Sequence, residues 1–186
     1  MSVDPADLKA WQSVVGATPD GNPGPRTFLA TVEWFRAHGY IAPRQTTPAS
    51  RARVVRIARA ELGEQNPDKY WRDAYPPFIG HAHDKAWCGA FALWCLRQAC
   101  LVDWTWIDGK GFLEVYAMPK VQLPELGDVA YFAKNSHHAI VAGVGGGNVT
   151  LINGNGMLAP REGVTETNVP LVGAVTAFYS IERLLP

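Results

Sequence analysis

The stretch Ala86 to Cys100, AWCGAFALWCLRQAC, constrains the fold more than any other part of the chain. It holds no proline, its glycine lies near the start, and apolar residues recur at helical spacing, so it predicts a buried helix. Cys88, Phe91, Ala92, Cys95 and Ala99 fall on one stripe, which puts Cys88 at the N-terminal end of the buried face. Unpaired N–H groups and partial positive charge at a helix N-terminus favour a thiolate over a thiol. That is the setting of a nucleophilic cysteine. Taken alone, Cys88 is equally a small apolar residue opening a core helix.

A chain of 186 residues, 47% of them hydrophobic, is large enough for one good-sized core and a small accessory unit. Its formal net charge of zero gives no support to nucleic-acid or anionic-membrane binding, which usually leave a basic surplus. The start, MSVDPADLKAW, lacks the basic and apolar regions of a secretory signal. No apolar run approaches the roughly 20 residues of a membrane span. Three cysteines are an odd and small number for a disulfide framework, and Cys95 and Cys100 point in different directions on one helix. The expectation is synthesis in the cytoplasm with reduced thiols.

Residues 7 to 40 have a logic of their own. Leu8, Trp11, Val14 and Val15 give a helix ended by Gly16, and TPDGNPGP then packs turn formers densely. A second helix carries Phe28, Leu29, Val32, Trp34 and Phe35 and stops at Gly39. Ile41 to Ser50 has two prolines and no periodicity, as a stiff linker does. Ser50 is placed to cap the next helix, whose Val54, Ile57, Ala58 and Leu62 line one face while its arginines keep the other solvated.

Residues 64 to 85 read as a loop with a Pro-Pro pair and several aromatics, among them Tyr70, Trp71, Tyr75 and Phe78, placed to wall a substrate groove or to cover the core. His81, His83 and Asp84 on this loop have no companion motif, so no metal site is expected. Beyond the central helix, Trp104 and Trp106 read as packing residues, and Pro119 to Pro124 as a break. Gly127-Asp128 reads as a turn into a strand through Val129, Tyr131 and Phe132. HHAIVAGV and NVTLIN follow as strands around a glycine turn, Gly154 to Val169 as polar loop, and LVGAVTAFYSIERLL as a last strand. A helix followed by an antiparallel meander is an α+β layout.

A cysteine nucleophile needs a base near its sulfur and a third group to orient that base. His137 and His138 open the second strand, and Asn153 and Asn155 end the third, so the meander brings them to one sheet edge. Strand alternation sends the two histidines to opposite faces, and the pattern does not decide which faces Cys88.

The order of these features resembles known families. Trp87-Cys88-Gly89-Ala90-Phe91, then Gly127-Asp128-Val129-Ala130-Tyr131-Phe132, then His137-x-Ala139-Ile140-Val141, then Asn153-Gly154-Asn155 is similar to the CHAP family of cysteine, histidine-dependent amidohydrolases/peptidases and to the related NlpC-type peptidoglycan peptidases. The resemblance spans roughly residues 51 to 182. It implies a papain-like α+β domain with Cys88 as nucleophile, His137 as base and His138 in the variable strand position. Asn153 then orients the base where CHAP members often carry glutamate and NlpC-type members histidine, as in papain-like triads. Asn155 and the Cys88 N–H would serve the oxyanion, with Trp87, Asp84 and Tyr70 at the substrate. The implied Cys88–His137 ion pair would depress the thiol pKa. No cofactor is required.

Leu8, Trp11, Gln12, Pro19, Asp20, Gly21, Gly24, Pro25, Thr27 and Phe35 separately resemble the three-helix type of small peptidoglycan-binding domain. The implied organisation is a helical binding-type domain over residues 1–40, a linker over 41–49 and a catalytic domain over 50–186. A plain helical hairpin packed on the main domain is the structural alternative. The implied function is hydrolysis of a peptidoglycan amide through an acyl-enzyme, with bacterial peptidoglycan as partner. Rival readings are a non-catalytic wall-binding protein and a cysteine acyltransferase or transpeptidase. Reaching the wall without a signal peptide implies a holin, a phage particle or a secretion system, as for a phage-type lysin or a delivered antibacterial effector.

Overall fold

The computed structural model describes residues 4–22, 27, 30–31, 34–35, 38, 44–74, 86–102, 104, 113, 116, 118–158 and 161–184. Its elements are α1 (Pro5–Val14), β1 (Arg44–Gln45), α2 (Pro48–Ala60), α3 (Asp68–Ala74), α4 (Cys88–Gln98), β2 (Lys120–Val121), β3 (Val129–Phe132), β4 (His137–Gly145), β5 (Asn148–Leu158), β6 (Arg161–Pro170), β7 (Ala177–Tyr179) and β8 (Arg183–Leu184). The protein is α+β. Among the described residues, helices α1 to α4 accompany a six-stranded antiparallel sheet in the order β2-β7-β3-β4-β5-β6, and β1 pairs with β8 apart from it.

Helix α4 packs on β4 and β5 and is flanked by α2 and α3. Residues Cys88 through Leu93, with Cys95 and Leu96, are all buried, so this helix lacks the polar face of a surface helix. Phe91, Ala92 and Cys95 join Val129, Ile140, Ala142 and Ile152 in the main core. A smaller apolar layer, with Ala130, Ala139, Val141, Leu151 and Phe178, lies on the other face of the sheet. Helix and sheet approach closely at Gly154, where an added Cβ would come within 2.5 Å of Phe91 Cβ.

Several sequence expectations change. The segment from 64 onward contains α3, whose Tyr70 is buried, while residues 75–85, with His81, His83 and Asp84, lie outside the described residues. Gly154 to Val169 is not a loop: β5 runs to Leu158 and pairs along β6. The β-branched Val164, Thr165 and Thr167 are the strand signal its polar composition obscured. The final segment holds only the short β7 and β8. The linker contributes β1, and Thr47, not Ser50, caps α2, with Ser50 returning the second bond of a capping box.

In the N-terminal segment, Asp4 accepts the Ala6 N–H of α1 at 2.8 Å, with Pro5 at the first helical position. The fully buried Gln12 organises the following turn. Its amide nitrogen reaches Asp20 Oδ1, Asn22 O and Thr27 Oγ1, and its oxygen accepts the Gly21 N–H at 2.8 Å. Residues 27, 30, 31, 34 and 35 are helical. Trp11 donates to Thr31 Oγ1 and packs against Trp34 and Phe35.

Arg51 is the exception to the solvated arginine face of α2. Only 7% exposed, it donates to Asp128 Oδ1 at 2.7 Å, to the Leu126 carbonyl at 3.0 Å and to Ser180 Oγ at 3.3 Å. Asp128 in turn accepts the Ile181 N–H at 3.0 Å and the Glu125 N–H at 2.8 Å. The pair fastens α2, the start of β3 and the C-terminal segment together. Asp128→Ala leaves the buried guanidinium with only the exposed carboxylate of Glu125, 3.3 Å from Nε, and is expected to cost about 3 kcal/mol. Urea denaturation measures this, and Arg51→Met with Asp128→Leu should recover most of the loss.

Candidate active site

Strand β4 carries two adjacent histidines, and the pleat sends them apart. His138 shares the face of Ile140 and Ala142, which packs on α4, whereas His137 shares the face of Ala139 and Val141. Cys88 Sγ lies 3.9 Å from His138 Nδ1 and 3.9 Å from the Ser136 carbonyl oxygen. His137 Nε2 instead lies 3.0 Å from Asn153 Oδ1, on the sheet face away from α4. The structure therefore joins His137 to Asn153 but brings neither to Cys88. The imidazole beside the sulfur is that of His138, packed against the Tyr131 ring at 5.1 Å.

The other site expectations divide as follows. Asn155 accepts the Trp87 N–H at 2.7 Å through Oδ1, which ties the β5 bulge to the residue before Cys88. Tyr70 and Trp87 do not wall an open groove; they stack at 5.3 Å inside the core and are 0% and 4% exposed. The Tyr70 hydroxyl donates to Glu61 at 2.6 Å. Asp84 lies outside the described residues.

No side chain caps α4, and its first helical bond runs from the Phe91 N–H to the Trp87 carbonyl. The N–H groups of Cys88, Gly89 and Ala90 thus precede the helical ladder and belong to the positive end of the helix dipole. Ser136 and Asn155, both at the N-terminal end of α4, hold left-handed φ of 51° and 60°. Such geometry costs roughly 1–3 kcal/mol for a residue with a side chain and clusters at functional sites.

Electrostatics favour a neutral resting pair. Burial pushes the Cys88 thiol above its ordinary pKa, while the backbone N–H groups of His138, Gly89 and Cys88 pull it back in part. Burial, with His137 alongside, lowers His138 to about 4. His137 is also lowered by burial, partly offset by its bond to Asn153. The depressed thiol expected from an ion pair is not the form this burial favours.

Among the described residues no group of three or more His, Cys, Asp or Glu is arranged to hold a metal, and no helix is long and apolar enough to cross a membrane. Cys88, Cys95 and Cys100 form no disulfide with one another. No protein-family model matches the chain, and no curated protein or solved structure matches it significantly.

The sequence gives no parity signal for the histidine choice because β4 is buried on both faces from His138 to Ala142. Ser136 was equally invisible, since its part is a carbonyl presented by a left-handed turn.

His138 stays neutral in the folded state, so its contribution to stability is complete above pH 6.5 and is lost as pH falls to about 4. The loss expected over that window is roughly 3 kcal/mol. Thermal unfolding across it should show the decline, and His138→Phe should make it shallower, leaving the part due to the buried His137.

Proposed function

We propose that the protein is a cysteine amidohydrolase acting on an amide of bacterial peptidoglycan, built on a papain-like arrangement. The observation that carries this reading is Cys88 at the uncapped N-terminus of α4 with His138 Nδ1 at 3.9 Å. A nucleophile at a bare helix end, with an imidazole in reach, is the minimal apparatus for acyl transfer. Contacts of this kind are often long without substrate and tighten when it binds. The substrate class rests on the resemblance of the motifs around Cys88, Asp128 and β4, and on the Gln12-centred turn of the N-terminal segment.

In this reading attack forms the bond from Sγ to the carbonyl carbon while the thiol proton passes to His138 Nδ1. The N–H groups opening α4 receive the oxyanion. Collapse breaks the C–N bond as His138 returns the proton to the departing amine. Water then cleaves the thioester with His138 again as base, releasing a free acid. Because thiol and imidazole start neutral, proton transfer accompanies the attack and no preformed ion pair is needed.

The test is digestion of purified sacculi, with released fragments identified by mass spectrometry. Wild type should release fragments, Cys88→Ala none, and His138→Ala about 10²–10⁴-fold less than wild type. Fragments from Cys88→Ala at the wild-type rate would overturn the proposal. Products carrying an added amine acceptor in place of a free acid would assign transfer rather than hydrolysis.

A further inference from the structure

The His137–Asn153 pair, separate from Cys88, is part of a cleft of about 750 Å³. Asn135, His137, Asn153, Asn155, Thr165 and Thr167 supply most of its lining. The volume lies within the roughly 300–1,000 Å³ range of small-molecule sites. Asn153 fixes the chemistry of the histidine. Its amide nitrogen faces two carbonyl acceptors, Leu151 O at 3.3 Å and Thr165 O at 3.4 Å, and the Thr167 hydroxyl at 3.0 Å. Its oxygen must therefore face His137, so Nε2 of His137 is the donor and Nδ1 keeps its lone pair. Nδ1 has no hydrogen bond among the described residues.

The lining also says what the cleft does not suit. Among the described residues no lysine or arginine contributes to it, and the carboxylate of Glu166 is paired with Arg59 at 3.3 Å, so these residues offer an anionic ligand no counter-charge. Among the described residues Leu62 and Val164 are its apolar side chains, too few for the alternating pockets that hold a peptide's side chains. Amides, hydroxyls and an imidazole acceptor match a ligand that is neutral and rich in hydroxyls. Asn155 belongs to the lining while its Oδ1 holds the Trp87 N–H, so the cleft adjoins the loop that leads into Cys88.

We propose that this cleft is a saccharide-binding site, in which a sugar hydroxyl donates to His137 Nδ1 and the Asn and Thr side chains bind its neighbours. It deepens the peptidoglycan reading, which supplies the choice of probe, by assigning the glycan of the substrate to the cleft beside His137 and Asn153.

The experiment is a ¹H–¹⁵N NMR titration of the full chain carrying Cys88→Ala with the tetramer of N-acetylglucosamine. Saturable shifts should cluster at residues 135–137, 153–156 and 163–167. His137→Phe should weaken binding about tenfold, the scale of one or two lost hydrogen bonds. Asn135→Leu, an exposed change at the cleft, should weaken it without disturbing the fold. No saturable shift at millimolar tetramer, shifts confined to residues 4–38, or unchanged affinity in both variants would overturn the proposal. Wild-type digestion of sacculi without cleft binding would remove only this site. Cleft binding without digestion would keep the site and remove the hydrolase reading.

Discussion

Everything at the candidate site depends on how closely α4 sits on β4 and β5. That approach needs a glycine at 154, because any side chain there would enter Phe91. It also needs small residues where the helix meets its neighbours, which Gly89, Ala90 and Ala92 supply. Burying almost the whole circumference of α4 fixes its height and rotation, and these place Cys88 against the end of β4. Packing at native density leaves little freedom to slide. The left-handed residues Ser136 and Asn155 are held where the chain must turn to meet that helix end.

The same packing gives two histidines one residue apart in sequence opposite chemistry. His138 lies under α4 beside a thiol and is driven neutral by burial. His137 lies across the sheet with its tautomer set by Asn153. The pleat separates them, and the Arg51–Asp128 pair holds β3, and through it the register Tyr131↔His138, against α2 and the C-terminal segment. A family-like string of residues can thus be present while the geometry distributes its parts between two faces.

Much of the framework was legible in the chain. The stripe Cys88, Phe91, Ala92, Cys95, Ala99 marked a core helix and every member is buried. The strands of the meander followed from β-branched runs around Gly146 and Gly147. What escaped depended on tertiary context. Tyr70 reads as a loop aromatic until its ring meets Trp87, Phe91 and Trp94 in the core. Arg51 reads as a solvated charge until a carboxylate 77 positions away reaches it. Strand β6 is polar because it lies at the edge of the sheet, where half-exposed threonines and glutamates suffice. The choice between His137 and His138 was undecidable locally because apolar residues follow on both faces.

The proposed hydrolase needs Cys88 and His138 as its reactive pair. The direct measurement is the rate of Cys88 alkylation by iodoacetamide as a function of pH, read by mass spectrometry on intact folded protein. His138→Ala should slow Cys88 at neutral pH and move its profile to higher pH, while His137→Ala should leave the profile in place. A profile that shifts with His137→Ala and ignores His138→Ala would contradict that pairing.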